Sequence, residues 1–253
     1  MGGRVAQWDN HAGGVQPSNG GDEKTELNPW RFMTDEDLKK FLTDPLNDEN
    51  APDRKFVIDY LKGQPIPLKF LDVGCGTGNM YITLKNSMLQ FEYLGVDKTL
   101  KMVEFACRRF PHDQAWYIEG AVYEQPPEAK FIQGDIHSLP FPDRSWNVVY
   151  CRHVLDHLPG YEKALSELTR VCSDCLIICL LNQLADKQQI KVIGKPPSQT
   201  DPKQFSEHYL NTYPRKPFME MLKNQGFSVV EDRLIQVGGF FKFYQLIIAK
   251  RIA

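Results

Sequence analysis

Phe70-Leu71-Asp72-Val73-Gly74-Cys75-Gly76-Thr77-Gly78-Asn79 is an apolar strand that runs into three glycines at alternate positions and then into a helical stripe. Glycines in such a place admit unusual φ values and let a ligand lie against bare backbone. A dinucleotide fingerprint requires Gly-x-Gly-x-x-Gly, but Asn79 stands three residues beyond Gly76, so a nicotinamide reading lacks its third glycine. What remains is a nucleoside-type ligand at the carboxyl end of the first strand, with no firm requirement for a pyrophosphate. An acid is then expected on the second strand. Asp97 follows Phe91-Glu92-Tyr93-Leu94-Gly95-Val96, roughly 20 residues past the loop, where a carboxylate accepts hydrogen bonds from ribose hydroxyls. The plainer alternative is an aspartate that only caps the next helix.

Outward from this segment, strand, loop and helix alternate, as in a parallel sheet covered by helices on both faces. The strands are expected at Lys69 to Val73, Phe91 to Val96, Lys130 to Gln133, Trp146 to Tyr150 and Leu176 to Leu181. Helical stripes lie between them: Met80, Leu84 and Met88; Met102, Val103, Ala106 and Phe110; Ala164, Leu165, Leu168 and Val171. Downstream, a polar stretch from Asn182 to Tyr213 leads to a helix that starts near Pro217 and is closed by Gly226. Two last strands, Phe227 to Glu231 and Phe240 to Ala249, are joined through Gly238-Gly239 and are expected to pair antiparallel.

Upstream, residues 1–28 have no apolar periodicity and read as a flexible tail. Trp8, Trp30, Phe32 and Met33 are large apolar groups in polar surroundings, suited to packing on the domain or closing over a ligand. Thr34 with Asp35, Glu36 and Asp37 starts a short helix carrying Leu38, Phe41 and Leu42, and a second helix runs from Pro52 through Phe56, Val57, Tyr60 and Leu61 to Gly63. The domain is thus read as 29–253: a helical lid at 29–65, a ligand-binding core at 66–181, an acceptor-side loop at 182–216, and a helix and strand pair at 217–253.

The bulk properties narrow the class. A net charge of −2 provides no basic field for nucleic acid or an anionic membrane. The longest apolar run, Cys175 to Leu181, is too short to span a bilayer, and the first residues lack an export h-region, so a cytoplasmic protein is expected. The six cysteines lie mostly in apolar segments and read as reduced thiols. Cys172-Ser-Asp-Cys175 has half the spacing of a zinc site but no second pair to complete it, and no metal is expected.

Asp72-Val73-Gly74-Cys75-Gly76-Thr77-Gly78 resembles the first motif of class I S-adenosylmethionine-dependent methyltransferases. Gly134-Asp135-Ile136 resembles the family's adenine-binding motif. Leu139-Pro140-Phe141-Pro142-Asp143 with Trp146-Asn147-Val148-Val149, and then Val154-Leu155-Asp156-His157-Leu158, resemble the segments around the fourth strand. Together they are most similar to the type 11 branch, which includes ubiquinone and menaquinone biosynthesis enzymes and many small-molecule methyltransferases. The resemblance implies a Rossmann-like, doubly wound, mostly parallel seven-stranded α/β sheet with an antiparallel C-terminal strand. It also implies S-adenosyl-L-methionine as cofactor, held by Asp72, Gly74, Cys75, Gly76 and Gly78 on the first strand and loop. Asp97, Lys98 and Met102 would contribute from the second strand and its helix, and Gly134, Asp135, Ile136 and Cys151 from the third and fourth. Two departures stand out: residues 111–128 look like an insertion, and Cys172-Ser-Asp-Cys175 replaces a Gly-rich turn.

The sulfonium methyl is already activated, so placing a nucleophile in line with it is the leading catalytic demand. If the acceptor is a hydroxyl, a base helps, and His153, just past the fourth strand, is the candidate. Arg152 is suited to gripping an acceptor carboxylate or phosphate, and His157, Tyr209 and Tyr213 are further acceptor-side candidates, with His208, Asn211 and Arg215 nearby. His153 and His157 stand four apart, which on a helix invites a metal reading, though the glutamate of the zinc protease motif is missing. The segment Tyr150-Cys151-Arg152-His153 lacks the Asn/Asp-Pro-Pro-aromatic run of amide- and adenine-nitrogen methyltransferases, which disfavours DNA bases and protein glutamines. The expected acceptor is a small metabolite, sugar or lipid-like precursor. The competing reading is a cofactor-binding but catalytically silent partner subunit.

Overall fold

The computed structural model describes residues 33–43, 50–110, 129–195, 206–237 and 241–252. The tail 1–28, Trp8, Trp30, Phe32, the insertion 111–128, the Gly238-Gly239 turn and the side chains of Phe41, Leu42 and His208 lie outside the described residues.

The element order is α1 (Asp35–Thr43), α2 (Pro52–Leu61), β1 (Leu68–Val73), α3 (Asn79–Lys85), β2 (Phe91–Asp97), α4 (Leu100–Arg109), β3 (Ala129–Gln133) and β4 (Trp146–Arg152). After a single 3-10 turn at Leu155–His157 come α5 (Glu162–Val171), β5 (Cys172–Leu180), β6 (Val192–Lys195), β7 (Ser206–Tyr209), α6 (Arg215–Asn224), β8 (Phe227–Gln236) and β9 (Phe243–Arg251).

Seven strands form one sheet in the order β3-β2-β1-β4-β5-β9-β8. β1 to β5 run parallel, and β9 is antiparallel to both β5 and β8. β1 and β5 are nearly continuous apolar runs because parallel strands are covered on both faces. Side chains alternate across the sheet. Leu71, Val73, Val149, Cys151, Leu176 and Ile178 meet Ala164, Leu165 and Leu168 of α5 and Phe218 and Leu222 of α6. Phe70, Tyr150, Ile177 and Cys179 share the other core with Val57 and Leu61 of α2, Met80, Tyr81 and Leu84 of α3, and Val103 and Ala106 of α4. Helices of about ten residues are marginal in isolation, so these apolar faces fix them on the sheet.

From β1 the chain moves outward to β2 and β3, then returns to place β4 on the opposite side of β1. That reversal opens a crevice at the carboxyl ends of β1 and β4, the place where open α/β sheets bind ligands.

Three sequence expectations change. Met88 does not join the α3 stripe: the helix ends at Lys85, the Ser87 hydroxyl donates to the Leu84 carbonyl at 2.5 Å, and Met88 follows at φ 62 with 94% of its surface exposed. Cys172-Ser-Asp-Cys175 is not a turn but the first residues of β5, with Cys172 opposite Trp146 and Cys175 opposite Val148. His153 and His157 do not share a helix, because His153 has φ 56 and only the short 3-10 turn follows. Within 182–216, β6 and β7 pair as a separate antiparallel ribbon. All six cysteines are free, and five are buried. No helix among the described residues is long and apolar enough to cross a membrane.

Candidate functional site

The glycine loop leaves β1 held from two sides. The amides of Gly74 and Cys75 both donate to the Val96 carbonyl of β2, at 2.7 and 3.1 Å. Gly74 has φ +80, and a Cβ there would lie 2.1 Å from Cγ2 of Val154, so the segment after β4 packs onto bare backbone. Gly76 differs. It has φ +53, and a Cβ added to it would meet nothing within 4 Å. The loop therefore turns one glycine toward open space, which is the form of a backbone cradle for a ligand.

Asp97, the last residue of β2, borders that space. Its Oδ2 accepts from the Gly76 amide at 2.9 Å and its Oδ1 from the Thr99 amide at 2.8 Å. Burial pushes its pKa up, while the hydrogen bonds from Thr99 and Gly76 oppose the shift. Thr99 reaches the same carboxylate through its side chain as well, and of its roughly four lone-pair sites one is left to accept from a ligand hydroxyl.

Beyond Asp97, the Gly134 amide donates to the Asp97 carbonyl at 3.0 Å and brings β3's exit alongside. Asp135 accepts from the His137 amide and ring at 2.9 and 2.8 Å and pairs with Lys98 at 3.3 Å. Burial acts to raise the Asp135 pKa, but His137 and Lys98 hold it below its ordinary value. Met102 and Ile136 are buried apolar neighbours in sequence of these groups. Most residues expected at the cofactor thus gather at the carboxyl ends of β1, β2 and β3.

On the other side of the crevice, Asp72 of β1 is buried and accepts from the Tyr93 hydroxyl at 2.6 Å. Burial lifts its pKa to about 7, against the opposing effect of Tyr93 and Arg54. Cys151, beside Val73 in the register, is buried in the opposite core, and burial raises its thiol pKa. Cys75 is likewise buried and its thiol pushed up by burial.

The acceptor-side candidates divide. Arg152 is not free to clamp an anion: its Nε and an Nη donate to the two oxygens of Asp53 at 2.5 and 3.2 Å, and it lies over the Tyr244 ring at 5.5 Å. The Tyr213 hydroxyl lies 2.8 and 2.7 Å from the Leu155 and Leu158 carbonyls. His157 Nδ1 is 2.8 Å from the Tyr209 carbonyl, so Tyr209 enters through its backbone. Together with the Asn211 amide donating to the Asp156 carbonyl at 2.8 Å, these contacts mount the β6–β7 ribbon on the 3-10 turn. His153, just past β4, has its Nε2 3.7 Å from the Cys179 sulfur. Burial, aided by Arg152 and Arg54, pulls its pKa well below the ordinary value, so the imidazole is neutral.

Asp53, Arg54, Tyr93 and Cys179 line this region and were not singled out in the sequence. The available signal for the first two was an Asp-Arg pair opening α2, whose stripe is otherwise apolar. The Tyr150 hydroxyl on the same face is buried without a hydrogen-bond partner.

Residues 71–175 match the methyltransferase domain family. An uncharacterized methyltransferase of Bacillus subtilis is 35% identical over 103 residues, covering 41% of this chain and 36% of that protein. A demethylmenaquinone methyltransferase of Deinococcus radiodurans is 30% identical over 105 residues, 42% of this chain and 39% of its own. The chain spans well under half the length of these curated relatives. Among solved structures, the magnesium protoporphyrin IX methyltransferase of Synechocystis with bound S-adenosylmethionine has a TM-score of 0.55 at 19% identity, covering 90% of this chain and 92% of that one. A methyltransferase of Aquifex aeolicus has a TM-score of 0.56 at 18% identity, covering 90% and 100%. These two likenesses bear on the fold. Residues 71–175 thus carry the sequence pattern of a methyltransferase domain, on a fold shared with solved methyltransferases.

Proposed function

We propose that this chain transfers a methyl group from S-adenosylmethionine to a small-molecule acceptor. The observation that carries the reading is the join between Gly76 and Asp97, where a glycine facing open space donates to a carboxylate placed to accept from the ribose. The cofactor, when bound, supplies a methyl group already activated on sulfonium. The chain's own residues then have three tasks.

Asp97 holds the ribose, and Gly134, Asp135 and Ile136 hold the adenine edge. Asp72, buried and half-titrated near neutrality, takes the methionine ammonium once ionised. His153, neutral and next to the residue packed on Gly74, accepts a proton from a hydroxyl acceptor. Orientation supplies most of the rate, because fixing two reactants in line removes entropy from the barrier. The methyltransferase kinship and the engagement of Arg152 by Asp53 favour a small, largely neutral acceptor of the metabolite, sugar or lipid-precursor kind. Six unpaired thiols suit a reducing compartment such as the cytoplasm.

The test is calorimetric titration with S-adenosylmethionine, followed by mass spectrometry of products formed from methyl-labelled cofactor and a metabolite extract. Saturable binding and a labelled small molecule are expected. An absence of binding heat at millimolar cofactor removes the reading.

A further inference from the structure

We propose that Cys179 and Asp53 form a relay that fixes His153 as the Nε2–H tautomer and leaves its Nδ1 as the proton-accepting atom of the site. The inference rests on the methyltransferase reading only for its use; the relay itself is a property of the unliganded fold.

The chain of contacts runs across three elements. Arg152 at the end of β4 holds both oxygens of Asp53, at the start of α2. The Cys179 sulfur of β5 lies 3.6 Å from Oδ2 of Asp53 and 3.7 Å from Nε2 of His153. An ionised carboxylate accepts only; burial acts to raise the Asp53 pKa, but the Arg152 guanidinium holds it below its ordinary value. The single thiol proton therefore goes to Asp53. Burial keeps the thiol protonated, its pKa far above the ordinary value. Sulfur then offers a lone pair to Nε2, which must carry the ring proton.

A neutral imidazole has one N–H, and the hydrogen bond at one nitrogen decides the role of the other. With Nε2 committed to Cys179, Nδ1 keeps its lone pair. The ring is held against rotation by an edge contact with Tyr244 at 4.3 Å between centroids. Its backbone, at φ 56, is pinned by an N–H donated to the Cys179 carbonyl at 2.8 Å. One residue binds His153 twice, through main chain and through sulfur.

Asp53, His153 and Cys179 also offer three ligand atoms within 4.8 Å of one another, a spacing that a cation can span. Arg152 argues against that use, since a divalent ion would lie beside a buried guanidinium that already occupies the carboxylate. Cys179 and Asp53 are thus positioning residues, and His153 is the group they position.

The experiment is two-bond 1H–15N correlation on protein labelled with 15N-histidine, with His153→Gln used to assign the signal. Wild type is expected to show the His153 ring proton on Nε2, protected from exchange and shifted downfield. Cys179→Ala should lose that protection, and Cys179→Ser, whose hydroxyl donates and accepts in the same way, should restore it. A ring proton on Nδ1 in wild type overturns the proposal; so does an unchanged signal in Cys179→Ala. Zinc added at one equivalent that shifts Nε2 strongly would also overturn it in favour of a metal site. Cofactor titration separates the two claims: binding with the wrong tautomer defeats the relay alone, and the predicted tautomer without binding defeats only the methyltransferase reading.

Discussion

The Gly76 amide donates to Asp97 Oδ2 at 2.9 Å, so the loop after β1 and the acid at the end of β2 are one hydrogen-bonded unit. Neither part is useful for ligand binding without the other. The loop supplies an uncovered surface, and the acid supplies the charge that selects hydroxyl donors.

In the proposed site, replacing Asp97 with Ala removes the charged acceptor for the ribose. A hydrogen bond to a charged group is worth about 1.5–3 kcal/mol, so S-adenosylmethionine affinity should fall roughly 100-fold or more. Calorimetry decides it. An affinity within threefold of wild type would show that the ribose is held elsewhere.

Gly74 and Gly76 should fail in different ways when changed to alanine. At Gly74 the new methyl collides with Val154, and overpacking costs about 1–3 kcal/mol beyond the left-handed backbone strain. Gly74→Ala should therefore lower the melting temperature, and Val154→Ala in the same chain should recover part of it. At Gly76 the methyl meets open space, leaving only strain of about 1–2 kcal/mol. Gly76→Ala should fold and yet lose most cofactor binding. A Gly76→Ala protein that binds normally would mean the cradle faces away from the ligand.

The contrast between those glycines marks what was legible in the sequence. The parallel strands could be read because burial on both faces makes each a nearly continuous apolar run, as in β1 and β5. The place of Asp97 beside the loop could be read because its distance from the loop is set by one strand-helix-strand passage. Met88 was misplaced because apolar spacing does not register the Ser87 hydroxyl that closes the helix. The spacing of His153 and His157 could not by itself tell helix from turn, because a positive φ at a non-glycine residue leaves no trace in sequence. Arg152 looked free because its partner Asp53 is 99 residues away, and only the sheet order brings α2 to the end of β4.

Asp72 gives the apo protein a pH dependence with a definite sign. Its folded pKa, about 7, is raised by burial above the ordinary carboxylate value, which is near 4 in the unfolded chain. Between those limits the folded state binds the proton and the unfolded state has lost it, so Asp72 makes stability fall as pH rises from about 4 to about 7. Asp156, also near 7 through burial, acts in the same direction. Asp72→Asn should flatten part of the decline and raise apo stability at pH 8 by on the order of 2 kcal/mol. The cofactor's ammonium favours the ionised carboxylate, so binding below pH 7 should release a proton, seen as a buffer-dependent calorimetric heat. Equal heats in phosphate and Tris at pH 6.5 would contradict the assignment of Asp72 to the ammonium.

Asp53 and Arg152 should behave as a structural pair rather than as an anion receptor. Both are buried, and truncating one member of such a pair leaves the other charge uncompensated, at a cost of about 3–5 kcal/mol. Arg152→Ala and Asp53→Ala should each destabilise the fold by that order, because α2 loses its tie to β4. The double change should cost far less than the sum, since neither charge is then stranded. Denaturant unfolding of the two single variants and the double variant measures the coupling. Had Arg152 been an acceptor clamp, Arg152→Ala would leave stability within about 0.5 kcal/mol of wild type and act on acceptor KM alone, and additive losses in the cycle would point the same way.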